Sequence, residues 1–137
     1  MIRRKGDMVV TVPSTESVQH LLALLEEHRI GAVVVSDDGE TVNGIVSERD
    51  VVRHLYRDGA GILLAPISQI MTANVRTCEP DVPIEDLART MTDHRIRHVP
   101  VVVDGKLRAI VSIGDIVKHR IDELQAERDQ LVGSIQQ

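Results

Sequence analysis

The sequence repeats itself. Residues 11–39 lie over residues 77–105 at an offset of 66 with nine identities, among them His28-Arg29-Ile30 over His94-Arg95-Ile96 and Asp38-Gly39 over Asp104-Gly105. Beyond that turn the offset falls to 65, because the first copy carries one extra residue near 40–43. Residues 42–54 then lie over 107–119 with six more identities. Fifteen identities in 42 aligned positions exceed several-fold the about three that ordinary residue frequencies would give. A chain of 137 residues built this way must fold as two copies of one small unit.

Each copy reads β-α-β-β-α. A short β segment opens it, at 8–11 in the first copy and 75–77 in the second. An amphipathic helix follows: Val18, Leu21, Leu22 and Leu25 fall at i, i+3, i+4 and i+7, and Ile84, Leu87, Ala88 and Met91 repeat that spacing. Pro13-Ser14 marks one helix start, and Asp81 with Pro83 the other. Two β runs come next, 32–36 and 42–46 around Asp38-Gly39, then 99–103 and 107–111 around Asp104-Gly105. Asp-Gly between β-branched runs signals a hairpin, since Gly tolerates positive φ. A closing helix begins after Ser47 and again after Ser112. The second one runs long, and its charged stretch at 123–128 is either solvated or at a subunit contact.

The expected divisions are a first motif at 1–56, a linker at 57–70, a second motif at 71–122 and a helical extension at 123–137. The linker holds Gly59, Gly61, Pro66 and an apolar Ile62-Leu63-Leu64. A unit of this size leaves one sheet face bare and is marginal alone. The expected fold is therefore α/β (α+β): tandem βαββα repeats packed face to face about a pseudo-two-fold axis, with two equivalent clefts between them.

Composition narrows the function. One Tyr and no Phe or Trp leave an aliphatic core, and without aromatic platforms single-stranded nucleic acid has nothing to stack on except Tyr56. A net charge of −5 also argues against a nucleic-acid partner, whose affinity rests on phosphate neutralisation. Cys78, the single cysteine, fits a reducing compartment and reads as a small apolar residue. No apolar run approaches the ~20 residues of a membrane span, and no signal-type stretch follows Arg3-Arg4-Lys5. The expected location is cytoplasmic, with no membrane partner. No His, Cys and carboxylate group has metal-ligand spacing, so no metal site is expected.

Two segments carry the most chemistry. Gly44-Ile45-Val46-Ser47-Glu48-Arg49-Asp50 and Ala109-Ile110-Val111-Ser112-Ile113-Gly114-Asp115 each run a strand into a helix through Ser-x-x-Asp. A helix N-terminus offers free N–H groups and partial positive charge to a phosphate. An Asp one turn on can accept hydrogen bonds from both hydroxyls of a ribose. The same pattern is also an ordinary capping box. Basic residues follow in both copies, Arg53-His54 and Lys118-His119, with Arg49 near the first helix start. They can reach a phosphate chain or form a solvated face. His28 and His94 sit near helix ends, where the dipole favours a cation. Arg97 and His98 enter a strand and can border the cleft.

As a set, the duplicated βαββα pattern, Ile70-Met71-Thr72, Arg97-His98-Val99-Pro100-Val101 and the paired Ser-x-x-Asp segments resemble a CBS domain pair, or Bateman module, over roughly residues 4–120. The resemblance implies an adenosine nucleotide, AMP, ADP or ATP, or in some cases NADH or S-adenosylmethionine, held between the repeats. It implies that Asp50 and Asp115 bind ribose and that Ser47 and Ser112 approach phosphate. Thr11, Thr77, Ala32, Val33, His98, Val99 and Pro100 would then line the adenine slot, with Arg49, Arg53 and Lys118 toward the phosphates. It further implies a homodimer through helices such as those at 51–55 and 116–121, two-fold symmetry being the commonest in soluble oligomers.

No cofactor is required on this reading and no catalytic residue is assigned. An enzyme needs a nucleophile–base pair, a carboxylate pair or a metal, and the two duplicated Asp residues should sit in separate clefts. The copies differ, with Val34 against Pro100, Gly44 against Ala109 and Arg49 against Gly114. The alternative is accordingly a structural module with vestigial sites, acting through a dimer or an unidentified protein target.

Overall fold

The computed structural model describes residues 9–136, with side chains through residue 133. The first repeat comprises β1 (Thr11–Val12), α1 (Val18–His28), β2 (Ala32–Val35), β3 (Gly44–Ser47) and α2 (Glu48–Asp58). Two short 3-10 turns, Ala60–Leu64 and Ile67–Gln69, make the link. The second repeat comprises α3 (Ile84–His94), β4 (His98–Val103), β5 (Lys106–Ser112) and α4 (Ile113–Gln136).

In the first repeat β1 runs parallel to β2, and β2 pairs antiparallel with β3, placing Val33 opposite Val46. In the second repeat β4 and β5 form the corresponding hairpin. The segment at 75–77, expected as a strand, is not one: Cys78 makes a single parallel bridge to Val101, through Cys78 N–H to the Pro100 carbonyl and Val102 N–H to the Cys78 carbonyl. Pro100 stands where the first repeat has Val34 and has no N–H to give to an incoming strand. The opening strand of the first repeat was expected at 8–11. Met8 lies outside the described residues, and the strand occupies Thr11–Val12.

Strand alternation sorts the side chains. Val33, Val35 and Val46 face the helices, in one cluster with Val12, Val18, Leu21, Leu25 and Val51. Val99, Val101, Ala109 and Val111 do the same beside Leu87, Met91 and Ile116. The linker completes the first cluster only, contributing Ile62, Ile67 and Ile70. Ala32 and Val34 are buried yet belong to neither cluster. They lie on the opposite face of the sheet, the face turned toward the second repeat. At the hairpin end the repeats also meet through the Leu107 N–H to the Glu40 carbonyl, 2.7 Å.

Local chemistry fixes the joints. Ser17 caps α1 by accepting the His20 N–H. Both hairpins turn where Asp-Gly predicts, with Gly39 and Gly105 at φ of 82° and 78°. The longer first turn is held by Asp38, whose carboxylate accepts from the Glu40 and Thr41 N–H groups and from the Thr41 and Ser36 hydroxyls. Those donors, the Thr41 N–H foremost, hold the Asp38 carboxyl well below the usual range. α1 and α3 both end on an arginine in the left-handed region, Arg29 at φ 52° and Arg95 at φ 54°. The next N–H returns five residues, Ile30 to Leu25 and Ile96 to Met91, closing each helix in a Schellman turn. His28 and His94 are the last residues of those helices.

Candidate functional site

Between the repeats lies a cavity of about 500 Å³. One wall is the end of β3 and the first turn of α2, from Ile45 to Asp50 with Arg53. The other is the α3–β4 junction, from His94 to His98. Thr72, Asn74, Val75 and Arg76 of the incoming chain close one side.

Gly44 explains how that chain comes so near. A Cβ at this position would stand 2.7 Å from the Met71 sulfur and 3.0 Å from the Thr72 carbonyl oxygen. The absence of one lets Thr72 and Ile45 exchange two backbone hydrogen bonds, of 3.0 and 2.9 Å. Glycine is required here by a close approach rather than by an unusual φ.

The wall at α2 is a complete capping box. The Asp50 Oδ2 accepts from the Ser47 N–H at 2.8 Å and from the Ser47 hydroxyl at 3.1 Å, while the Ser47 Oγ accepts the Asp50 N–H at 3.3 Å. The other carboxylate oxygen, Oδ1, has Arg53 Nη1 at 3.9 Å. His54 bonds back to the Asp50 carbonyl, so it serves its own helix. The second repeat builds the same box: Asp115 accepts from the Ser112 N–H at 2.8 Å and Ser112 accepts from the Asp115 N–H at 3.1 Å. The capping reading of Ser-x-x-Asp thus holds at Asp50, and the same residue lines the cavity.

Charge is the other feature of the cavity. Arg49, Arg53, Arg76, Arg95 and Arg97 line it against only two carboxylates, Glu48 and Asp50. Among the described residues, Arg49, Arg76, Arg95 and Arg97 have no carboxylate within ion-pair distance. Five arginines lining one cavity beside a helix N-terminus make its surroundings cationic, a chemistry that suits an anion.

Of the residues the sequence singled out, Ala32, Ser47, Arg49, Asp50, Arg53, Arg97 and His98 line this cavity. Thr11, Val33, Thr77, Val99, Pro100, Ser112, Asp115 and Lys118 do not. Val33 and Val99 correct the expectation of side chains lining a slot. They alternate out of phase with Ala32 and His98, so their side chains fill the helix-side cores. Thr11 is held in β1, level with Val34. Pro100 is buried in β4. Thr77 lines a separate groove of the second repeat. Ser112 and Asp115 begin α4, and Lys118 is exposed on it. Arg76 and Asn74 had not been singled out, and Arg95 had been noted only within the repeated His-Arg-Ile. The one available signal was asymmetry between copies, since Arg76 falls where the first copy has Val10. Among the described residues no cluster of His, Cys, Asp and Glu could hold a metal, and no helix is long and apolar enough to cross a membrane.

Comparison with known proteins agrees with this architecture. The CBS domain family model matches twice, at residues 6–57 and 67–122. The chain is 33% identical over 125 residues to the mitochondrial CBS domain-containing protein CBSX3 of Arabidopsis thaliana, covering 88% of this chain and 61% of that protein. It is 28% identical to the CBS domain-containing protein YhcV of Bacillus subtilis, covering 86% and 83%. The chain thus spans about three fifths of the plant relative's length. Among solved structures, the CBS-domain protein ATU1752 of Agrobacterium tumefaciens superposes with a TM-score of 0.81 at 44% identity, covering 85% of this chain and 92% of that one. The CBS domain pair of MJ0100, solved with 5′-methylthioadenosine and S-adenosyl-L-methionine, superposes with a TM-score of 0.78 at 27% identity, covering 86% and 92%. The two repeats that organise the sequence are CBS domains, and the chain belongs to the CBS domain family as a tandem pair.

Proposed function

We propose that the chain is a non-catalytic regulatory module that senses a phosphate-bearing adenosine nucleotide, AMP, ADP, ATP or the dinucleotide NADH, in the cleft beside Asp50. The observation that carries this reading is the meeting of a helix N-terminus and Asp50 with five arginines in one cavity of nucleotide size. The ribose hydroxyls bond the Asp50 Oδ1. The phosphates lie toward the first turn of α2 and the arginines, and the base sits against Ala32 and Ile45. The MJ0100 pair supports the adenosine part, since its structure holds two adenosine derivatives. The surplus of cations supports the phosphate part.

The test is calorimetric titration of the full chain with AMP, ATP, NADH and S-adenosylmethionine, alongside Asp50→Ala and Asp115→Ala. Each variant breaks one capping box, so the two should lose comparable stability. Only Asp50→Ala should lose nucleotide binding. At 100 times its dissociation constant, a bound nucleotide raises parental stability by about 2.7 kcal/mol. No heat with any ligand overturns the reading. It leaves the second one, a structural module, favoured by the fact that both Ser-x-x-Asp units are already satisfied as caps.

We also propose that two copies associate through α4. Val117, Ile121, Leu124 and Leu131 are exposed on it with spacings of four, three and seven, and Arg128 holds the intervening heptad position. The Val51 and Ile116 side chains, within the segments expected to make this contact, are instead buried in the core. The helix continues to residue 136, past the family model's end at 122, by about 20 Å at 1.5 Å per residue. Parallel in-register pairing would set Arg128 against its own copy, so the pairing is antiparallel.

A further inference from the structure

The repeats are not equally covered. In the first, the linker lies across the start of α1. The Val18 N–H donates to the Ala65 carbonyl, the Ile67 N–H to the Glu16 carbonyl and the Ser68 N–H to the Ser14 carbonyl, with Ser17 bridged to Pro66. Ile67 is sealed in the cluster that holds Val12, Val18, Leu21 and Val33. Moved by the repeat offset, those backbone partners become the Ile84 N–H and the Val82 and Pro80 carbonyls. Among the described residues none of the three has a hydrogen-bond partner. In place of a linker there is an open groove of about 460 Å³, lined by Cys78, Val82, Pro83, Leu87 and Val99 among others.

Burial records the same difference. Val12 and Val18 are 1% and 0% exposed, whereas their counterparts Cys78 and Ile84 remain partly open. Pro83 replaces Ser17, and this costs nothing in the groove, because the linker makes no bond to the Ser17 N–H. The second repeat therefore keeps the floor and the backbone groups of a peptide slot whose occupant, in the first repeat, is part of the same chain.

We propose that this groove receives an extended segment of a partner protein carrying an aliphatic residue directly after a proline. The linker sequence Ala65-Pro66-Ile67-Ser68 is the template. The residue before the proline offers its carbonyl to the Ile84 N–H. The aliphatic residue gives its N–H to the Val82 carbonyl and its side chain to Leu87 and Val99, and the next N–H goes to the Pro80 carbonyl. Proline suits the place between, where no donor is used. Main-chain bonds supply affinity and the single aliphatic pocket supplies choice. The groove is separate from the Asp50 cleft, so the module can bind a partner and a nucleotide together.

Cys78 lines the groove and is the single cysteine, which makes thiol modification a local reporter. The full chain is titrated with a synthetic peptide of residues 61–69 and with the same peptide carrying I67D. Labelling runs at mildly alkaline pH, because burial raises the Cys78 thiol. The parent peptide should slow modification about threefold at twice its dissociation constant, by mass action. It should shift the Ile84 amide resonance and leave that of Val18 unmoved, and I67D should do neither. Unchanged labelling with an unmoved Ile84 amide at the highest soluble peptide concentration overturns the proposal. So does a Cys78 that reacts only in denaturant, which would mean that the chain already fills its own groove.

Discussion

Gly44→Ala puts a number on the close approach that closes the cleft. The added methyl would meet the Met71 sulfur at 2.7 Å and the Thr72 oxygen at 3.0 Å. Met71 can swing aside. The Thr72 oxygen cannot, because it is backbone and accepts the Ile45 N–H at 3.0 Å, while the Thr72 N–H donates to the Ile45 carbonyl at 2.9 Å. Relief requires the incoming chain to retreat by a few tenths of an ångström, weakening two hydrogen bonds worth about 1 kcal/mol each. Overpacking of this kind costs about 1–3 kcal/mol, and the lower entropy of the unfolded alanine chain returns about 0.5–1 kcal/mol. The expected net loss is about 1–2 kcal/mol, a fall in Tm of about 3–8 °C for a chain of this size. Differential scanning calorimetry measures it, and hydrogen exchange at the Ile45 amide should quicken. Adding Met71→Ala should not restore stability, since the wall is the carbonyl. An unchanged Tm with undiminished Ile45 protection, or full rescue by Met71→Ala, refutes the reasoning.

Three further outcomes follow from the structure. Asp38 titrates lower folded than unfolded, so its contribution is present above the ordinary carboxylate pKa of about 3.9 and fades as pH falls below it. Urea unfolding between pH 6 and 2 should show a smaller loss in Asp38→Asn than in the parent. Arg29→Gly should raise stability by about 0.5–1 kcal/mol by relieving a left-handed arginine, measured by urea midpoint. Arg95→Gly should do the same but weaken ATP binding, because Arg95 lines the cleft; equal effects on binding would count against the arginine cluster. Leu124→Glu, on the exposed face of α4, should halve the mass found by light scattering and abolish the rise of Tm with protein concentration that pairing gives the parent, and a parent already monomeric would end the α4 pairing.

Much of this was legible in the residues. The repeat register alone predicts two helix–hairpin–helix units, and Asp-Gly marks both turns because only a small set of residues accepts positive φ. The helix-facing cores follow from Leu21, Leu25, Leu87 and Met91 at helical spacing. The lining of the cavity was legible at the motif of Ser47 and Asp50 and, on the opposite wall, at Arg97 and His98 only. Ser47 and Asp50 declare a helix start, but nothing local says that Arg76 and Arg95 arrive opposite, since their meeting depends on how two distant segments pack. Val33 and Val99 were misplaced because a motif names residues in a row whereas a strand shows alternate ones to each side. The missing strand at 75–77 was written in Pro100, but its lack of an N–H matters only once the segment that would lie beside it is known.

The carboxylate of Asp50 has two employers. One of its oxygens keeps the first turn of α2 wound, and its side chain forms part of the cleft wall. On the proposed function, a guest bound at this group would share one carboxylate with the cap, so that binding in the cleft and the winding of the first turn of α2 would be linked.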